Sequence, residues 1–289
     1  MSDNITPSQE QTIIIDHVDK GRNVVVEAAP GSGKTTTTLF IACKLRNIPV
    51  RCVTYSKSLA DDGKKKIMKI NKDKTNNIKI ENIKYSTLHS MCHEFYNIKC
   101  LDDSGIERII SSNASFQKES CFEGFGTDRL VIIFDEVQDF TNTFFTVAQK
   151  IVNDVKKIYR MVQIVILGDP WQTVYKFKGA DHRYISFASE IWDEPSSFVR
   201  CKLSESFRLT IPMAEYFNFM FGFEWIRSSK EGVKVIYIRD NPFQIWEKHQ
   251  GWHEPLIRNN ETFILANTLR SNGSPVTHFE KKLVDAGIT

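Results

Sequence analysis

Residues 24–35 read VVVEAAPGSGKT and residues 36–45 read TTTLFIACKL. Three consecutive valines suit a strand buried on both faces, the second stretch is helix-forming, and a glycine-rich loop joins them. Strand, loop and helix in that order make a phosphate cradle. Gly31 and Gly33 let the backbone turn its amides inward, and the amino end of the helix adds partial positive charge. Lys34 then reaches the β and γ phosphates, and the Thr35 hydroxyl is placed to ligate magnesium. The first position of the motif is Ala28, where glycine is usual.

Working outward, residues 50–55, 130–134 and 164–167 are also apolar throughout rather than alternating, and 83–85 and 198–203 are weaker strand candidates. The pattern predicts an α/β fold, a parallel sheet with helices on both faces. The strand LVIIF delivers Asp135 and Glu136 at its carboxyl end, within FDEVQD. Asp135 suits the metal, and Glu136 suits the water that in-line phosphoryl transfer requires. Asp139 reads equally well as a helix-start residue. The strand QIVIL ends in Gly168, Asp169, Pro170, Trp171 and Gln172. Ligands of open α/β sheets bind along the carboxyl edge, so one crevice is expected to collect Lys34, Asp135, Glu136 and Gln172. There Gln172 could bond the γ phosphate or the water, although a loop glutamine is otherwise simply solvated.

The chain has 289 residues, 38 Lys and Arg against 35 Asp and Glu, and a formal net charge of +3. That length suits one large or two ordinary domains, and the mild charge permits a nucleic-acid partner without arguing for one. The opening MSDNITPSQEQ has no apolar core flanked by basic residues, and no apolar run approaches a membrane span. A soluble protein of cytoplasm or nucleus is expected, with Cys43, Cys52, Cys92, Cys100, Cys121 and Cys201 as reduced thiols and no disulfides. His89, Cys92, His93 and Cys100 invite a zinc reading, but their spacing matches no finger or ribbon. Residues 61–77, DDGKKKIMKINKDKTNN, and 100–127 read as surface insertions. Lys64, Lys65, Lys66, Lys69, Lys72 and Lys74 there form either a solvated helix face or a phosphate-contact stripe. After about residue 206 the pattern restarts as helix 211–221, strands 233–238 and 262–266, and helix 276–286.

Taken together these motifs resemble the UvrD/Rep-type helicases of superfamily 1, in flavour the branch of the F-box DNA helicase. ITPSQEQ resembles the adenine-reading Q motif with Gln9; AAPGSGKT resembles motif I, with Ala28, Ala29, Pro30, Gly31, Ser32, Gly33, Lys34, Thr35 and Thr36 at the nucleotide. VTYSKSLA resembles motif Ia, YSTLHSMC motif Ib and FDEVQD motif II, while LGDPWQTVYKFKGAD resembles motif III and LSESFRLT motif IV. The resemblance implies a RecA-like domain over 1–205, with a small insertion at about 96–127, and a partial second RecA-like domain over 206–289. It implies ATP and Mg2+ as cofactors and single-stranded DNA as partner. Gln9 and Phe207 would read and stack the adenine. Arg208 would enter as an arginine finger, unless it serves only as a surface salt bridge. Tyr55, Lys57, Thr87, His89, Tyr175, Phe177 and Lys178 would line the strand, since aromatics stack on any base and cations hold phosphates. Core packing is the competing role for the aromatics, and helix capping for His89.

Departures accompany the matches. Nothing resembles motifs V and VI, and no basic DNA contact stands near Asn267. The expected activity is that of the ATP-binding portion of a 3′ to 5′ single-strand translocase and helicase. The alternative is a non-unwinding module that binds ATP and single-stranded DNA, monomeric or completed by another polypeptide. A small-molecule kinase would leave motifs Ib, III and IV unexplained.

Overall fold

The computed structural model describes residues 6–73, 78–117, 127–192 and 198–232. These belong to a compact unit spanning residues 1–234; a second unit, 235–289, lies outside the described residues, with the strands and helix expected beyond 233 and with Asn267. Cys121 falls outside them as well.

Six strands form one sheet: β1 (Val24–Ala28), β2 (Val50–Thr54), β3 (Ile83–Thr87), β4 (Arg129–Phe134), β5 (Met161–Gly168) and β6 (Val199–Leu203). Their order is β3-β2-β4-β5-β1-β6 and every pairing is parallel. This is the RecA-like α/β fold expected from the apolar runs. The two weaker candidates are both real strands, and they occupy the two edges of the sheet. Edge strands are wetted on one side, which is why their sequences are less uniformly apolar.

Strand pleating splits the core. Val25, Ile132, Phe134, Ile164 and Ile166 point to one face, where they meet α4 (Leu88–Tyr96), α5 (Asp103–Ser111) and α6 (Asn142–Lys156). Val24, Val26, Val131, Ile133, Val165 and Leu167 point to the other, against α1 (Gln9–Asp19) and α2 (Lys34–Lys44). Each such side chain, fully buried, contributes roughly 1.5–3 kcal/mol. Among the described residues no helix is long and apolar enough to cross a membrane.

Two expectations are corrected. Residues 61–72 are not a surface insertion: they belong to α3 (Lys57–Lys72), which begins four residues earlier and lies on the sheet beside β2 and β3. It buries Ala60 and Gly63, partly buries Ile67 and Ile70, and turns Lys64, Lys65, Lys66, Lys69 and Lys72 to solvent. Residues 100–127 likewise contain α5, whose Ile106 and Ile109 are wholly buried in the core. In both cases a narrow apolar stripe on a charged helix carries the packing. Past β6, α9 (Ile211–Phe221) follows the short helices α7 (Arg183–Ser186) and α8 (Ala188–Ile191).

Candidate functional site

The loop after β1 closes over a cavity of about 550 Å³ on the carboxyl edge of the sheet. Small-ligand sites fall in the range of roughly 300–1,000 Å³. Gly31 and Gly33 take positive φ of 74° and 86°. A side chain at Gly31 would also collide with Arg208 and Ser206, because the segment after β6 backs onto the loop. There Ser206 Oγ donates to the Pro30 carbonyl at 2.7 Å and Phe207 N donates to the Gly31 carbonyl at 3.0 Å. Gly33 is the N-cap of α2 and supplies no side-chain cap, so the first amides of that helix stay open toward the cavity. Ser32 Oγ is buried there with no hydrogen-bond partner.

Lys34 Nζ lies 3.3 Å from Glu136 Oε1. Burial works against the Lys34 ammonium, yet the charges of Glu136, Asp135 and Asp169 outweigh it and hold its pKa above the ordinary lysine value. Burial pushes the Asp135 carboxyl up, the adjacent Glu136 charge adds to that, and Lys34 opposes both. Asp169 is also raised, chiefly by burial. Three carboxyls facing one ammonium leave an excess of negative charge in a dry place, which a divalent cation neutralises. Among the described residues no three His, Cys, Asp or Glu side chains converge as an all-protein metal cage. Magnesium rarely asks for one, taking one or two carboxylates and completing its shell with phosphates and water. The open amides, the unpartnered Ser32 hydroxyl and this charge imbalance therefore fit a magnesium-bound polyphosphate.

A second cluster stands on the same edge. Tyr55, which follows β2, stacks on Tyr175 with ring centroids 5.4 Å apart and planes at 28°. Tyr175 meets Phe177 at 6.1 Å, and Lys178 Nζ lies 5.3 Å from the Tyr175 ring and 5.8 Å from the Phe177 ring. Phe177 is 79% exposed, which core packing does not explain. His89 joins through Phe144, which touches both its ring and that of Tyr55.

The profile of the DEAD/DEAH box helicase family matches residues 6–168, more than half of the chain. This chain belongs to that family. Among solved structures it is similar to unliganded Pif1 from Bacteroides sp, at 17% identity and a TM-score of 0.44, with 76% of this chain and 46% of that one covered. It is similar also to the Pif1 helicase from Candida albicans, at 19% identity and a TM-score of 0.44, with 75% of this chain and 44% of that one covered. The chain thus spans less than half the length of these two structures. No curated protein matches it.

In this helicase domain Gly31, Ser32, Gly33, Lys34, Thr35, Thr36, Glu136, Phe207 and Arg208 all line the cavity. Ala28 and Ala29 lie buried behind the loop, and Asp135 is 5% exposed at the end of β4, just beneath Lys34. Arg208 lines the cavity beside Gly31, with its Cβ against the loop. Gln172 does not line the cavity; its amide donates to Asp169 Oδ2 at 2.6 Å. Gln9 is exposed in the first turn of α1 and outside the lining, whereas Gln11 is buried, lines the cavity and donates to Thr37 Oγ1 at 3.1 Å. Thr87 caps α4, accepting from Ser90 N, and Lys57 is exposed at the start of α3. The zinc candidates are engaged otherwise: His89 bonds Asp103, His93 bonds the Ile98 carbonyl, and Cys92 is in the core.

Sequence reasoning missed Thr6, Gln11, Leu59 and Lys66 in the lining. Two signals were available. Ser8 and Gln11 form a capping box, whose S-x-x-Q spacing identifies Gln11 as the third helical residue. Leu59 and Lys66 stand seven residues apart, two helical turns, and so share one face of α3.

Proposed function

We propose that this chain is the ATP-binding portion of an ATP-driven translocase and helicase acting on single-stranded DNA, of the UvrD/Rep type in superfamily 1. The observation that carries the reading is the Lys34–Glu136 pair beneath a glycine loop, with an exposed aromatic ribbon on the same sheet edge. In this reading residues 1–205 form the ATP-binding domain and 206–289 begin a second RecA-like domain. The loop amides, Ser32 and Lys34 bind the phosphates. Thr35 and Asp135 would hold magnesium, which when bound would neutralise charge developing on the phosphates. Glu136 orients the attacking water and accepts its proton, and Lys34 leaves Glu136 for the phosphate oxygens. Phe207, beside Gly33 and Gln11, offers a face to the adenine, and Arg208 brings positive charge to the γ phosphate.

Tyr55, Tyr175 and Phe177 stack bases while Lys57 and Lys178 hold phosphates, a combination blind to sequence, as a motor requires. The 3′ to 5′ polarity rests on the likeness of the motifs to the UvrD/Rep type. ATP hydrolysis by the chain, with and without single-stranded DNA, tests the reading, with Glu136→Gln as control. DNA-stimulated turnover that Glu136→Gln abolishes supports it. Turnover indifferent to Glu136→Gln, or no binding of ATP and DNA, overturns it. Strand displacement on substrates with a 3′ or a 5′ tail decides polarity.

A further inference from the structure

Glu136 occupies an unusual backbone position, with φ 57° and ψ 43°, in the left-handed region that a non-glycine residue rarely adopts. Something must hold it there in one orientation. One carboxylate oxygen, Oε1, faces Lys34 and the cavity. The other, Oε2, accepts from Gln138 Nε2 at 2.8 Å. Gln138 is 3% exposed, and its own carbonyl oxygen accepts from Asp169 N at 3.1 Å. Its amide thus donates at one end and accepts at the other, which a carboxylate cannot do.

The approach needs space that the sequence provides. A side chain at Gly168 would put its Cβ 2.4 Å from Gln138 Oε1, so only glycine at the end of β5 lets Gln138 reach the Asp169 amide. Asp169 is itself fully buried, and its carboxylate accepts from Trp171 N at 2.9 Å and from Gln172 Nε2 at 2.6 Å. A continuous series of hydrogen bonds therefore runs from Glu136 through Gln138 and Asp169 to Gln172.

We infer that Gln138 is a positioning residue: it fixes the Glu136 carboxylate for water activation and registers it against the loop that carries Gln172. The inference rests on the reading of Glu136 as the general base. When Lys34 turns to the phosphates, Gln138 keeps its hold on Oε2 and leaves Oε1 aimed at the cavity.

Four variants of the 289-residue chain test this. Gln138→Met keeps the volume and loses both hydrogen bonds; Gln138→Glu keeps an acceptor for Asp169 N and sets a second carboxyl against Glu136. Both are expected to lower kcat by roughly tenfold to a hundredfold while KM for ATP changes less than about twofold. Glu136→Gln supplies the background. Adding Gln138→Glu to it should lower turnover no further, since a residue acting only through Glu136 has nothing left to position. Wild-type kcat in Gln138→Met overturns the inference, as does full additivity with Glu136→Gln. Wild-type turnover in Glu136→Gln instead overturns the reading of Glu136 beneath it. If wild-type turnover is too slow to compare, crystal structures decide. A Glu136 carboxylate rotated away from the cavity in Gln138→Met supports the inference, and one unmoved overturns it.

Discussion

The two clusters on the carboxyl edge of the sheet are built on opposite principles. Around Lys34 the ionisable groups are largely buried and held by hydrogen bonds, so that Asp135, Glu136 and Asp169 each sit in one place. Around Tyr175 the rings are stacked side by side and Phe177 stands in solvent. Removing charges from water strengthens every interaction among them, which phosphoryl transfer needs at a fixed geometry. An exposed aromatic face binds any base weakly and releases it, which movement along a strand needs. In the proposed function one sheet edge would carry a rigid centre and a permissive track.

The comparison breaks most severely at Glu136. Glu136→Gln keeps the volume and the cavity but removes the proton acceptor, so turnover should fall by roughly 10²–10⁴-fold with ATP affinity retained. Retained turnover would mean that the buried centre is not the catalytic one. Lys34→Ala removes the ammonium that faces Glu136, Asp135 and Asp169. Nucleotide affinity, read by titration calorimetry, should weaken by roughly 1.5–3 kcal/mol, the worth of a charge-assisted hydrogen bond. An unchanged isotherm would place the phosphates elsewhere.

On the permissive side, Phe177→Ala should weaken single-strand affinity by about 1–3 kcal/mol in a fluorescence anisotropy titration. The melting temperature should stay put, because an exposed ring buries little. A drop in stability without loss of affinity would return Phe177 to a packing role and dissolve the contrast.

How much of this was legible in the sequence follows from the same division. β1, β2, β4 and β5 were plain because strands buried on both faces are apolar at every position, and Gly31, Gly33 and Lys34 because their spacing has one structural use. α3 and α5 were read as surface because their apolar stripes are narrow: Gly63 and Ala60 in one, Ile106 and Ile109 in the other. Gln9 drew attention over Gln11 because the choice depends on helical phase, which the capping box fixes and composition does not. Gln138 gave no signal at all, since its partner Asp169 N lies 31 residues along the chain. Polar pairs that close across a sheet are a property of the fold, and only the fold reveals them.

Asp139 stands between the two clusters and offers the finest test. Burial, then the charge of Glu136, raises its carboxyl to about 6, and one of its buried oxygens has no hydrogen-bond partner. Burial, Tyr175 and the charge of Asp139 raise the Tyr55 phenol in turn. A carboxyl raised in the folded state binds more protons there than in the unfolded chain, so it lends stability below about pH 4 and loses it as pH rises toward 6. Asp139→Asn should therefore stabilise the protein above pH 6 by about 1 kcal/mol after allowance for solvent screening, or roughly 2–4 °C in Tm. The gain should vanish near pH 4, where Asp139 is protonated in either state. A gain present at every pH would assign the effect to new amide hydrogen bonds instead. If the stabilised variant also loses DNA stimulation of ATP turnover, the charge of Asp139 links track to centre. If stimulation survives, the charge of Asp139 plays no part in linking the two clusters.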